Sequence, residues 1–348
     1  MLVVGTNGNL YGTTEAGGAH GSGTIFEITP AGLLTTIYNF CSLPNCNDGQ
    51  FPSGLALGSD GNFYGTTMFN GARLSFGSVF GITPAGKLIM LRRFCSESHC
   101  TDGANPLAGL VQGRNRNFYG TTQAGGANET SCLQGCGTVF KITPSGQLTT
   151  LYNFCSQADC FDGEVPMGTL VLANNGDLYG TTEAGGVNSQ CPLGGCGTAF
   201  KITPAGQLTT LYSFCSQTDC SDGDMPFAGL VLATNGNLYG TTRYGGTDSE
   251  CTASPFTGCG TVFALSRAVK PFVQTLPGFG TVGAEVGILG NRLTVATSVT
   301  FNGTSATFTV KSPTLIFTNV PTGATTGYVT VTTTNGTLTS NVPFRVMQ

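Results

Sequence analysis

Along residues 167–214, apolar and threonine positions fall into four short runs separated by polar, turn-forming breaks. Thr169-Leu-Val-Leu172 precedes an Asn174-Asn-Gly176 turn, and Leu178 to Thr182 follows it. Thr198 to Thr203 and Leu208 to Phe214 then flank a Pro204-Ala-Gly206 turn. Runs of this length, rich in β-branched and aromatic residues, predict four strands, A to D, joined as an antiparallel meander. Strands C and D are apolar or Thr at both parities, the pattern of strands covered on both faces. No stretch carries a long helical period, and none approaches the roughly 20 apolar residues of a membrane helix.

The same pattern recurs. Tyr-Gly-Thr-Thr begins at Tyr11, Tyr64, Tyr119, Tyr179 and Tyr239, at intervals of 53, 55, 60 and 60 residues. A period this long signals a repeat architecture, and a four-strand meander repeated radially describes a propeller blade. Small residues in strand A, Ala108-Gly109 and Ala228-Gly229, suit crowding near an axis. The expected fold is all-β: a β-propeller-type array of about five four-stranded repeats over residues 1–266, then a small immunoglobulin-like β-sandwich over 267–348. The fifth repeat lacks an obvious strand D after Phe263. Either five blades close a ring, borrowing Val269 to Leu276, or the array is part of a larger ring.

In an antiparallel meander the short A–B and C–D turns share one face, and the long B–C and D–A loops share the other. All 14 cysteines lie in the second set. They form seven short-range pairs: Cys41–Cys46, Cys95–Cys100, Cys155–Cys160 and Cys215–Cys220 in D–A loops, and Cys132–Cys136, Cys191–Cys196 and Cys251–Cys259 in B–C loops. The B–C pairs are absent from the first two repeats, both members together, as bridges within single loops predict. The spacings are not the x2 pairs of zinc ribbons. So many disulfides imply an oxidising compartment, hence an extracellular or cell-surface protein. Met1 is followed at once by strand-like Leu2-Val3-Val4 with no signal peptide, so the chain reads as a mature or truncated piece.

Only 9% of residues are charged, against about 25% in ordinary soluble proteins, while Gly contributes 53. A net charge of -4 argues against nucleic acid as a partner. His20 and His99 are the only histidines and lie in different repeats, and no Gly-x-Ser-x-Gly, HExxH or Walker motif occurs. No catalytic residue is therefore assigned and no cofactor is required.

Ligand-binding candidates lie on the loop face, where variable loops sit on a rigid scaffold. Asp48, Asp102, Asp162 and Asp222 each follow a Cys by two residues and precede Gly, with Pro three residues beyond that Gly. Asp159, Asp162, Glu164, Asp219, Asp222 and Asp224 supply hard oxygens that suit calcium, although Asp-Gly is also plain turn chemistry. Tyr244 breaks the repeat pattern by replacing Ala in its B–C loop and is a candidate stacking platform. Arg73 and His99 complete the set as breaks in repeat symmetry.

Gly-Asn-Leu-Tyr-Gly-Thr-Thr and Gly-Thr-Val-Phe-Lys-Ile-Thr-Pro, recurring nearly verbatim over residues 1–266, resemble the bacterial GloVer tandem repeat. That resemblance implies export and a propeller and brings no known activity. Beyond residue 270 cysteine disappears, and Val286 to Gly290, Ser298 to Gly303, Val320 to Ala324, Gly327 to Val331 and Asn341 to Val346 read as short strands. This segment resembles the IPT/TIG immunoglobulin-like domain, a spacer or adhesion module in bacterial surface proteins. The favoured expectation is a binding or adhesion module for an extracellular glycan or protein. The alternatives are a propeller lyase or glycosidase acting on an extracellular polymer, and a ligand-free spacer.

Overall fold

The computed structural model describes residues 2–71, 76–128, 135–188, 191, 195–248, 250–253, 256–266 and 269–347. Among them there is no α-helix, only strands and short 3-10 turns, and no helix is long and apolar enough to cross a membrane. The chain divides into two compact units, one holding most of residues 2–263 and the other mainly residues 264–347.

Four repeats are four-stranded antiparallel sheets in the order A-B-C-D. In repeat 1 the strands are Leu2–Val4, Leu10–Thr14, Thr24–Ile28 and Leu34–Asn39. Repeat 2 has Gln50–Leu57, Phe63–Phe69, Ser78–Ile82 and Leu88–Arg93. Repeat 3 has Val111–Gln112, Phe118–Thr122, Thr138–Ile142 and Leu148–Asn153. Repeat 4 has Val171–Leu172, Leu178–Thr182, Thr198–Ile202 and Leu208–Ser213. Among the described residues the fifth has three strands in its sheet, Val231–Leu232, Leu238–Thr241 and Val262–Leu265.

The recurring motif has a packing reason. The Gly of Tyr-Gly-Thr-Thr pairs with the strand C Phe, as Gly120 does with Phe140. A Cβ on Gly120 would lie 2.7 Å from Phe140 Cζ, so only glycine lets the ring cross its neighbour. The Tyr beside it points to the next repeat: Tyr11 lies 4.2 Å from Phe63 and Tyr64 lies 4.1 Å from Phe118, between ring centroids. The Phe after strand D does the same. Phe40 meets Phe80 at 5.2 Å, Phe94 meets Phe140 at 5.1 Å, Phe154 meets Phe200 at 5.2 Å and Phe214 meets Phe263 at 4.8 Å. The apolar core of this unit is therefore a series of seams between consecutive repeats, not one central cluster.

The second unit has two four-stranded sheets around one core. One is ordered Gln274–Leu276, Glu285–Leu289, Leu315–Asn319, Phe308–Ser312, and the other Thr304–Ala306, Ala296–Phe301, Val329–Thr333, Gly336–Thr339. Val286, Ile288 and Ile316 from the first meet Val299, Phe301, Val329 and Val331 from the second, all at most 1% exposed. Two strand readings need correction here. Val320 to Ala324 is a turn, because Pro321 lacks a donor and Gly323 takes φ +82°. Val269 to Leu276 adds no fourth strand to repeat 5: Gln274–Leu276 pairs antiparallel with Glu285–Leu289.

Candidate functional site

Each D–A loop is a small closed structure. After strand D comes a Cys, then a 3-10 turn that ends in the second Cys, as at Ala158–Cys160. Bridges Cys41–Cys46, Cys95–Cys100, Cys155–Cys160 and Cys215–Cys220 close these loops, and Cys191–Cys196 and Cys251–Cys259 close B–C loops. The predicted Cys132–Cys136 bridge lies partly outside the described residues, because Cys132 does.

The four repeated Asp residues sit inside these loops. Asp162, fully buried, accepts hydrogen bonds from the Tyr152 hydroxyl at 2.7 Å, the Ser156 N–H and hydroxyl at 3.0 Å, and the Gln157 N–H at 3.1 Å. Asp48 takes the same four donors from Tyr38, Ser42 and Leu43. Asp222 takes them from Tyr212, Ser216 and Gln217. Burial pushes the Asp222 carboxyl up, but these hydrogen bonds outweigh it and hold the group below the ordinary carboxylate range. In repeat 2 Arg92 stands where the others have Tyr, and its guanidinium reaches Asp102 at 2.9 Å. The carboxylates act as latches for their own loops.

The remaining candidates are dispersed. Asp159 and Asp219 are exposed and occupy left-handed positions at φ +52° and +53°. Glu164 is buried and bridges Ala184, and burial together with the Asp162 charge raises its carboxyl above the ordinary value. No three carboxylates of the calcium set converge within 4.8 Å among the described residues. The groups that do converge are built on cysteines, such as Cys191, Cys196, Cys215 and Cys220, whose sulfurs are in disulfides. His99 is exposed on the repeat 2 turn at φ +57°, and Arg73 lies outside the described residues.

The junction of repeats 4 and 5 is different. Asp224 and Tyr244 exchange backbone hydrogen bonds at 2.9 and 3.1 Å, which makes their side chains cross-strand neighbours. Asp224 is 6% exposed, and its Oδ1 is buried without a hydrogen-bond partner. Burial pushes this carboxyl up to about 6, against a hydrogen bond from the Met225 N–H. The Arg243 guanidinium lies 5.2 Å from the Tyr244 ring centroid and 5.9 Å from that of Phe227, which is 45% exposed. Glu183, the residue after Tyr-Gly-Thr-Thr in repeat 4, is raised by burial and pulled back by the Arg243 charge. Equivalent positions elsewhere carry Gln50, Ala104 and Glu164 for Asp224, and Ala16, Phe69, Ala124 and Ala184 for Tyr244. They carry Ser53, Leu107 and Met167 for Phe227. Sequence reading found Tyr244 and Asp224 but missed Glu183, Phe227 and Arg243. The signal lay in the position after Tyr-Gly-Thr-Thr, which runs Glu15, Met68, Gln123, Glu183, Arg243.

A family model described as the Gloeobacter/Verrucomicrobia repeat matches residues 1–189 and 99–309. The chain belongs to that family. No curated protein matches it. Similar solved structures include a fungal alcohol oxidase of the AA5 family in complex with copper, at 12% identity over all of this chain and 85% of that one, TM-score 0.43. A luciferin-regenerating enzyme is 14% identical over 75% of this chain and 78% of its own, TM-score 0.44. An exo-β-1,3-galactanase from Phanerochaete chrysosporium is 10% identical over 98% and 87%, TM-score 0.44. Likeness at that level leaves function to the chain's own residues. Within this Gloeobacter/Verrucomicrobia repeat protein, the latches recur with the repeat, whereas the repeat 4–5 junction departs from it.

Proposed function

We propose that this protein is a secreted or cell-surface recognition module that binds a glycan on its disulfide-closed loop face, at the junction of repeats 4 and 5. One observation carries the reading: Phe227, Arg243 and Tyr244 form an aromatic and cationic surface beside the partly unsatisfied carboxylate of Asp224. Sugars present apolar C–H faces that stack on aromatic rings, and hydroxyls that donate to buried carboxylates. Arg243 adds a fork suited to an acidic sugar. In this reading the repeats are propeller-type blades, the 267–348 segment is an IPT/TIG-like immunoglobulin domain that spaces or tethers them, and the bridges suit an oxidising exterior. A second reading, a polymer-cleaving enzyme, draws on Asp224 and Glu183, two carboxyls raised at one junction.

The test is a glycan and polysaccharide array, run with calcium and with chelator, on wild type and on Tyr244→Ala and Arg243→Ala. Selective binding that either variant loses at unchanged melting temperature supports the site. Release of new reducing ends from a bound polymer supports the enzyme reading instead. Silence across the array overturns the glycan reading and leaves a protein partner or a spacer.

A further inference from the structure

In repeats 1 to 4 the Phe after strand D donates its N–H to the carbonyl of the Gly before strand C, at 3.0 Å each time. The pairs are Phe40 with Gly23, Phe94 with Gly77, Phe154 with Gly137 and Phe214 with Gly197. One step further along, the first cysteine of the D–A loop therefore stands beside the residue that precedes that Gly. The residue is Ser22 beside Cys41, Phe76 beside Cys95, Cys136 beside Cys155 and Cys196 beside Cys215. In repeats 3 and 4 the register thus sets a cysteine of the B–C loop against the bridge of the D–A loop.

The sulfur positions agree. Those of Cys191, Cys196, Cys215 and Cys220 all lie within 4.8 Å of one another, and so do those of Cys136, Cys155 and Cys160. The two bridges of repeat 4 cover each other: Cys191, Cys196 and Cys215 are at most 6% exposed, and Cys220 is half-buried. In repeats 1 and 2, which have no B–C cysteines, all four members of Cys41–Cys46 and Cys95–Cys100 are half-buried.

We propose that the two bridges of repeat 4 are a thiol-triggered exchange pair, which passes from one bridge within each loop to two bridges between the loops, Cys196–Cys215 and Cys191–Cys220. The trigger is a small external thiol, acting as its thiolate. It attacks the sulfur of Cys220, the least buried of the four, and forms a mixed disulfide there while Cys215 leaves as thiolate. The Cys215 thiolate attacks Cys196 and releases the Cys191 thiolate. Cys191 then attacks Cys220 and releases the external thiol. Two disulfides are replaced by two disulfides, no electrons are gained or lost, and the thiol is returned unchanged. The product ties the B–C loop of repeat 4 covalently to the D–A loop that carries Asp222 and Asp224, whereas the starting pairing closes each loop on itself. Repeats 1 and 2, with Ser22 and Phe76 in place of the receiving cysteine, keep their pairing. The exchange does not depend on the glycan reading.

Trypsin reads the pairing directly, because Lys201 is the only Lys or Arg between Cys191 and Cys220. The oxidised full chain is incubated with substoichiometric glutathione, quenched with acid and N-ethylmaleimide, unfolded, digested without reductant and analysed by mass spectrometry. The starting pairing yields peptides 142–201 and 202–243 as separate masses. Exchange joins them into one mass that carries neither glutathione nor maleimide, and this species should grow from none to a plateau. Peptides that stay separate at every glutathione concentration overturn the proposal. Joining that also draws in peptides 1–73 and 94–114, which hold the bridges of repeats 1 and 2, overturns it as general scrambling. Cys191→Ser supplies a second route, since it leaves the Cys196 thiol beside the intact Cys215–Cys220 bridge. The two peptides should then join without added thiol, with Cys215 or Cys220 taking the maleimide. A Cys196 that takes the maleimide itself, with the peptides separate, overturns the proposal.

Discussion

Asp162→Ala separates a latch from a ligand group. Two backbone N–H groups, a serine hydroxyl and the Tyr152 hydroxyl would lose their acceptor together. Hydrogen bonds to a charged acceptor contribute roughly 1.5–3 kcal/mol each when buried. Ser156 and Gln157 are exposed, so water replaces the carboxylate for part of the set. The net loss is therefore about 2–4 kcal/mol, well below the sum of four bonds. In a unit of this size 1 kcal/mol moves the melting temperature by about 2–4 °C, so the transition should fall by roughly 5–15 °C. Asp162→Asn keeps an oxygen toward Tyr152 and Ser156 and should lose about half as much. Calorimetry on the oxidised protein measures both. A melting temperature within about 1 °C of wild type for Asp162→Ala would refute the latch, the more so if glycan binding vanished with it.

Three other predictions follow from neighbouring features. Asp224 has a carboxyl raised to about 6 by burial, so the fold is favoured by its protonated form. That contribution is full below the unfolded value of about 3.9 and lost as pH rises through about 6. Asp224→Asn should therefore melt higher than wild type at pH 7–8 and equal to it near about pH 4, read from melting curves across pH. Phe154→Ala removes a fully buried ring packed on Phe200 and should cost about 3–5 kcal/mol in denaturant titration, whereas half-buried Phe26→Ala should cost much less. Reduction opens loops that contribute up to about 2 kcal/mol each, and every cysteine lies before residue 260. Dithiothreitol should lower the repeat unit's transition and leave that of the C-terminal unit in place, a shift visible by calorimetry.

What was legible in the sequence was whatever depends on local pattern. Strand B at Leu178–Thr182 appears where the run of apolar and threonine positions put it, and strand C ends one residue early, at Ile202. Strand A was read as Thr169 to Leu172 but pairs only at Val171–Leu172. The preceding residues are taken up by the neighbouring repeats on both sides: a Cβ on Gly168 would lie 2.8 Å from Gly229 of repeat 5, and the Thr169 hydroxyl accepts from the Gly109 N–H of repeat 3 at 3.1 Å. The latch role of Asp48, Asp162 and Asp222 was not legible, because it needs both cysteines of each loop in left-handed backbone. Cys155 and Cys160, at φ +58° and +54°, turn the Ser156 and Gln157 N–H groups onto the carboxylate. Asp-Gly spacing identifies a turn without saying what its carboxylate holds. At the repeat 4–5 junction the departures are visible once repeats are aligned, but their convergence depends on neighbouring repeats lying side by side.

Each seam takes a tyrosine and a phenylalanine from one repeat and a leucine, a phenylalanine and an aliphatic residue (Ile82, Ile142, Ile202 or Leu265) from the next, so the two halves are alike from seam to seam. Cutting the chain at the same point in two repeats and rejoining it regenerates an intact seam, whether the product is longer or shorter. Gene duplication and unequal crossing-over can therefore change copy number without new packing having to evolve. A cut out of phase joins two halves of the same kind and leaves aromatic surface uncovered. Selection on such an array acts on the phase of a rearrangement more strongly than on its length. The loops between strands B and C, which hold the extra residues of the longer repeats, are then free to diverge one by one.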